Sequence, residues 1–262
     1  MKGGLAFFKK ELAGILKTYK IWLLPLIFVF LGISSPVAAK FTPALIKAAM
    51  QADEAQRQVF GQIKIPEPTA KDAYDQWFKN LSQVGILATI LISMGLISGE
   101  KAQGTLAMVV TKPISRSSIV VSKFLAYALL LFVSALLGLL TCYLYTALLF
   151  GKAPLKPLVL STAAFSAFIL LVLSLTLLAS SLTRRQIAAG GLALLATFIF
   201  SILASIGHGL DKYSPGAIPG LAARIASDSL AFSKAIPALG VTLAGAVALV
   251  AAAALALNRQ EI

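Results

Sequence analysis

The sequence has one cysteine, one histidine and only 10 acidic residues in 262. A lone Cys142 and a lone His208 are too few ligands for a structural zinc or iron–sulfur site, and Cys142 has no disulfide partner within the chain. Catalysis needs a nucleophile, a base and an orienting group, or a metal. Here the one imidazole stands between Gly207 and Gly209, in a stretch that reads as a solvated loop. Gly95-Leu96-Ile97-Ser98-Gly99 imitates the serine loop of an intramembrane protease only loosely. A membrane enzyme is therefore not the leading class. Charge of either sign is scarce, at 13% of residues against about 25% in an ordinary soluble domain.

What is present in excess is apolar. Hydrophobic residues make up 58% of the chain and the mean hydropathy is +0.88. Six charge-free stretches stand out: 21–39, 80–99, 124–151, 157–183, 186–210 and 235–258. About 20 apolar residues rising 1.5 Å each cross a roughly 30 Å hydrocarbon core. The reading is an all-α polytopic membrane protein, one integral domain over 1–262, with spans at about 21–39, 80–99, 119–149, 157–183, 186–207 and 236–258. The net charge of +13 suits cations flanking spans and anionic headgroups better than nucleic acid, which is not an expected partner. The lipid bilayer is.

Residues 1–20 read as an interfacial helix. Leu5, Phe8, Leu12, Ile15, Leu16 and Tyr19 recur at helical spacing, with Lys9, Lys10, Lys17 and Lys20 among them. A basic surface helix before the first span favours a cytoplasmic N-terminus. Six spans then place both termini inside, in a cell (plasma or inner) membrane. On this orientation the inner segments hold 12 cations and three acids, the outer ones 11 cations and seven acids spread over longer loops, so density rather than count carries the assignment. Pro36-Val37-Ala38-Ala39 after an apolar run imitates a signal-peptide cleavage site. The long amphipathic lead-in fits an uncleaved first span better.

The outer loop, 40–79, reads as two short helices separated by Ile65-Pro66-Glu67-Pro68. The second carries Tyr74, Trp77, Phe78 and Leu81 on one face, expected as an interfacial aromatic belt leading into the second span, with a substrate gate as the alternative. The segment around 218–232 is mildly amphipathic, and sequence leaves open whether it dips into the membrane or lies on it. The spans carry no ionisable residue near their middles, which argues against a proton-driven carrier. They do offer Ser134, Gly138, Ser174, Ser180, Ser181, Gly190, Gly191, Gly240 and Ala244, mostly expected as helix-packing contacts.

Residues 99–123 join the second and third spans, too long for a tight turn. Gly99-Glu100-Lys101-Ala102-Gln103-Gly104 matches the glycine spacing of a phosphate-binding loop, but Thr105 stands where its Lys is needed. Gly104 is suited to break the helix leaving the second span. Thr105 can then cap a short apolar helix carrying Leu106, Met108, Val109 and Val110, which Pro113 stops.

The run Glu100-x-x-x-Gly104-Thr105-Leu106, followed by Lys112-Pro113-Ile114-Ser115-Arg116 and Lys123, closely resembles the permease subunits of type-2 ABC (ATP-binding cassette) exporters. Lys10-Glu11-Leu12 looks like that family's N-terminal surface helix. The resemblance implies that 99–123 is a cytoplasmic coupling segment, with Glu100 and Arg116 as polar anchors and Leu106, Met108 and Val109 as a docking surface. It implies a second contact at Arg184 and Arg185. It further implies a separate ATPase subunit that binds ATP and Mg, a second permease in a homo- or heterodimer, and no cofactor or catalysis in this chain. The function expected is export from the cytoplasm by alternating access. The rival classes are an ion- or lipid-coupled carrier and a non-transporting membrane scaffold or immunity protein.

Overall fold

A computed structural model describes residues 2–52, 66–105, 115–151, 153–206 and 212–260. Among these the chain is helical without strands. The helices are α1 (Lys2–Leu16), α2 (Lys20–Ala52), α3 (Ala70–Asn80), α4 (Ile86–Ser93), α5 (Ser98–Ala102), α6 (Arg116–Phe150), α7 (Leu155–Leu182), α8 (Gln186–Ser205), α9 (Ile218–Ala226) and α10 (Ile236–Asn258). Six segments are long and apolar enough to cross a membrane: Lys20–Ala48, Ala70–Ala102, Arg116–Phe150, Leu155–Leu182, Gln186–Ser205 and Phe232–Asn258. The expected all-α, six-span class holds.

The bundle is built around α7, whose membrane-spanning window is 72% buried, against 22% for α8 and 28% for the last span. Helices α4, α6, α8, α9 and α10 all pack on it. Lipid tails are as apolar as leucine, so burial alone does not hold these helices together; close packing and polar contacts do. Small residues at Ser161, Ala164, Ala167, Ser174, Ala179, Ser180 and Ser181, all buried, let neighbouring backbones approach α7. The same logic joins α2 to α6. A Cβ on Gly32 would lie 2.2 Å from Thr141 Oγ1 and 2.7 Å from the Gly138 carbonyl oxygen, and one on Gly138 would lie 3.1 Å from the Phe28 carbonyl oxygen.

Three elements depart from the sequence reading. First, α2 continues as helix well past residue 39, through Pro36 and Pro43, to Ala52. Second, the second span is not one helix. Asn80 passes into a π-helical turn at Leu81–Gly85, α4 ends at Ser93, and a non-helical turn at 94–97 precedes α5. Third, the aromatic stripe is not an interfacial belt. Tyr74, Trp77 and Phe78 are fully buried and Leu81 is 1% exposed, because α3 lies between α2 and α9 rather than on the surface. Trp77 and Phe78 meet edge to face at 4.9 Å, and Phe78 meets Phe165 of α7 at 5.8 Å.

Helix α9 rests its Ile218, Ala222, Ile225 and Ala226 on α3 and α7. The 3-10 turn that introduces it, Pro215–Ala217, presses on the end of α8. A Cβ at Gly216 would sit 2.0 Å from the Phe200 carbonyl oxygen.

Candidate functional site

The site forms where α1, α5 and α6 converge, beside the 99–123 segment. On α1 the positions Phe7, Glu11 and Ile15, four residues apart, share one face. Phe7 and Ile15 are buried and the Glu11 side chain is 11% exposed, whereas Leu5, Leu16 and Tyr19 project outward. The amphipathic lead-in thus has a carboxylate on its inward face, a detail that its apolar spacing alone does not announce.

That carboxylate meets Lys123. Lys123 Nζ donates to Glu11 Oε2 at 3.1 Å and to Glu100 Oε1 at 2.7 Å, and its side chain is only 3% exposed. One ammonium therefore ties the N-terminal helix, the end of the second span and the first turns of the third. Desolvating each ion costs several kcal/mol, which mutual attraction repays only when the geometry is good. Two anions around one cation supply that attraction. Glu100 Oε2 is buried without a hydrogen-bond partner among the described residues, so the junction is tight at one carboxylate oxygen and open at the other.

A second lysine works one turn deeper. Lys20 Nζ, at the start of α2, donates to Tyr127 Oη at 2.7 Å and to the Ile92 carbonyl at 3.3 Å, just before the second span breaks. The break is held from the other side by α7. Ser180 Oγ accepts from the backbone N–H groups of Ile97 (3.0 Å) and Ser98 (2.9 Å), two donors that the broken helix leaves without an internal acceptor. Gly95 and Gly99 flank this turn and leave room for the Gln186 side chain of α8. A Cβ on either would come within 3.0 Å of it.

Below the break, α5 and the chain's last described residues are tied together. Lys101 Nζ donates to the Ser181 carbonyl and to Gln260 Oε1, the latter at 2.6 Å. Gln260 Nε2 donates to the same Ser181 carbonyl at 3.0 Å. Arg116 Nη1 donates to the carbonyls of Leu257 (2.9 Å), Asn258 (3.3 Å) and Gln260 (2.6 Å). A cation placed on the last carbonyls of α10 satisfies orphan acceptors and complements the helix dipole.

The junction, Lys20 and the break wall a cleft of about 490 Å³, with Glu11, Lys20, Gly95, Glu100, Lys123, Tyr127 and Gln186 among its lining. Its chemistry is that of charge pairing and hydrogen bonding. Among the described residues no group of three or more His, Cys, Asp and Glu side chains is placed to hold a metal.

The residues singled out from sequence are not all brought to one place. Glu100, Lys123 and Glu11 are brought into one junction, with Lys10 beside it, its Nζ 3.2 Å from Glu11 Oε1 and itself exposed. Arg116 is an anchor, but for the end of α10. Gly104 takes φ +69° and ends α5 with its N–H on the Lys101 carbonyl at 3.2 Å, and Thr105 Oγ1 donates to the Glu100 carbonyl at 3.3 Å. Arg184 and Arg185 are exposed at the turn between α7 and α8, apart from the junction. Leu106, Met108, Val109 and Pro113 lie outside the described residues. Lys20, Tyr127, Ser180 and Gln186 were not legible as site residues, because each acts through a partner far away in sequence.

The span hydroxyls are engaged with their own helices. Ser134, Ser174, Thr176 and Thr242 each donate to the carbonyl four residues earlier, at 2.7–2.8 Å. Gly190 meets Met94 at the α4–α8 contact, while Gly191 and Gly240 have open space where a Cβ would stand.

A bundle of six helices long and apolar enough to cross a membrane, with a charged junction at one end, is the architecture of a multi-pass membrane protein. Residues 5–257 match the family described as ABC-2 family transporter protein. The chain belongs to that family, and is a multi-pass membrane permease component of an ABC-type transporter, a class whose members work with an ATP-binding subunit. It is similar to the uncharacterized transmembrane protein YxlG of Bacillus subtilis (strain 168), at 22% identity over 204 residues, which cover 77% of each chain.

Proposed function

We propose that this permease exports a substrate from the cytoplasm, driven by a separate ATPase that docks on residues 106–114. The observation that carries the reading is the Lys123 junction. The segment that would meet the ATPase begins directly after α5 and ends directly before α6, and Glu100 of α5 and Lys123 of α6 are ion-paired to each other and to Glu11. A push on the segment then moves α1, the second span and the third span together. Helices move as rigid elements about packed contacts, so a small displacement at the docking site is conveyed along the spans. The break at 94–97 supplies a place where the inner end of the second span can turn relative to its outer part.

On this reading both termini and the segment between α5 and α6 face the cytoplasm of a cell membrane, and the stretch between the first two spans faces outside. ATP and Mg bind to the partner. A second permease packs against α8, the least buried span, where Leu87, Leu91, Gly190, Gly191 and Leu194 line an apolar groove with α4.

Apolar side chains held in water are costly unless a partner covers them, and burying Leu106, Met108 and Val109 offers about 1.5–3 kcal/mol per fully buried side chain before the costs of association. Met108→Asp is expected to weaken ATPase binding and uncouple hydrolysis from flux, with normal insertion in the membrane. Glu100→Ala is expected to impair transport more than assembly. Both are measured by co-purification with the ATPase, then hydrolysis and flux in liposomes. A Met108→Asp protein that assembles and transports like the parent overturns the assignment.

A further inference from the structure

An apolar cavity of about 120 Å³ lies between α2, α3, α6 and α7, away from the charged junction. Phe28, Trp77, Leu81, Ala135 and Phe165 form its walls, and no charged residue contributes. Polar groups in the wall are few: the Thr162 and Ser166 hydroxyls donate to carbonyls of α7, at 2.7 and 2.8 Å, and the buried Trp77 indole N–H has no hydrogen-bond partner among the described residues. Apolar cavities of roughly this size stay dry and accept benzene-sized guests.

The mouth of the cavity decides which guest. Phe132 on α6 is 57% exposed, and Ser166 and Leu170 on α7 are partly exposed, so the opening lies between α6 and α7 on the outside of the bundle. Phe132 is about midway along the 35-residue helix α6. At roughly 1.5 Å per residue that places the mouth some 24 Å from the start of the helix, at a depth where a bilayer presents acyl chains and no headgroups. A second copy has a different face to use, since the α4–α8 groove lies where α8 packs on α7 and α4, whereas α6 packs on α2, α7 and α10. We propose that this cavity is a binding site for the acyl chain of a bilayer lipid, entering between Phe132 and Ser166 and ending against Trp77.

The two tryptophans of the chain make this measurable. Trp77 is fully buried and lines the cavity, whereas Trp22 is 78% exposed on the surface of α2. A Trp22→Phe protein, reconstituted in phosphatidylcholine–phosphatidylglycerol vesicles whose acyl chains carry bromine at mid-chain, reports contact between a chain and Trp77 as fluorescence quenching. Strong quenching relative to unbrominated vesicles is expected despite the burial of Trp77. Filling the cavity from α6 with Ala135→Phe, or from α7 with Ser166→Leu, is expected to remove it. The same fillings in a Trp77→Phe background are expected to leave quenching of Trp22 unchanged, which shows that the filled proteins still fold and insert. Absence of quenching in the parent, or quenching indifferent to both fillings, overturns the proposal. Quenching of Trp77 that appears only on diluting the protein in the bilayer assigns the mouth to a second copy and overturns it as well.

Discussion

The hydroxyl of Ser180 on α7 meets that of Ser98 on α5 at 3.1 Å, and the same oxygen accepts the backbone N–H groups of Ile97 and Ser98. A helix broken inside a membrane exposes donors that no water reaches, and each costs free energy unless a neighbour accepts it. Ser180 is that neighbour. The break at 94–97 is therefore a property of two spans, stable because α7 presents one hydroxyl at one height.

Ser180→Ala should leave both N–H groups unpaired and destabilise the protein by about 1–3 kcal/mol, the usual cost of an unsatisfied buried donor. Ser174→Ala, whose hydroxyl donates only to its own helix at Leu170, should cost much less. Reversible unfolding in mixed micelles compares the two. Equal effects would mean that Ser180 has no special part in holding the break.

Lys123→Met should be among the most damaging single changes, because it strands Glu100 and leaves Glu11 with only the exposed Lys10 as a partner. Removing one partner of a buried pair costs about 3–5 kcal/mol, while replacing the whole set by neutral groups is often close to neutral. Partial exposure of Glu11 and Glu100 (11% and 23% of their side chains) places the loss at the lower end of that range. Adding Glu11→Gln and Glu100→Gln to Lys123→Met should recover most of the stability. A triple variant as unstable as the single one would show that packing of the lysine stem, rather than charge, holds the junction.

Two glycines in spans should respond in opposite ways to alanine. Gly32→Ala drives a methyl into Thr141 and the Gly138 carbonyl, so α2 and α6 must separate, at about 1–3 kcal/mol for overpacking. Gly191→Ala meets nothing within 4 Å and should be neutral or stabilising by up to about 1 kcal/mol through helix propensity. Thermal denaturation in detergent ranks them, and a tolerated Gly32→Ala would contradict the α2–α6 packing.

The orientation is tested by cysteine labelling. In a variant lacking Cys142, which is buried, single cysteines at Gln56 and Thr111 should react with a membrane-impermeant maleimide from outside and from inside respectively. The reverse pattern would invert the topology and remove the docking segment from the cytoplasm.

Charge and hydropathy alone determined the class of this protein. A bilayer admits only segments whose side chains are apolar and whose backbone groups are satisfied locally, so six charge-free runs in a chain of mean hydropathy +0.88 already amount to six helices across a membrane. The run from Glu100 to Lys123 likewise marked itself by its length, its Gly104 and its charges, and the family it resembles is the one the chain belongs to. Only the tertiary structure decided what those residues face. The periodicity that placed Tyr74, Trp77, Phe78 and Leu81 on one side of a helix is the same for a headgroup belt and for a buried seam. The contact with α2 and α9 made it a seam. Lys123 reads from sequence as a flanking cation, and becomes a buried clasp because Glu11 and Glu100 reach it from 112 and 23 residues away. The break in the second span had no sequence signal beyond Gly95 and Gly99, since its acceptor, Ser180, lies on another helix. Local pattern records which side of a helix is apolar. It does not record which element covers that side, because that depends on contacts between residues remote in the chain.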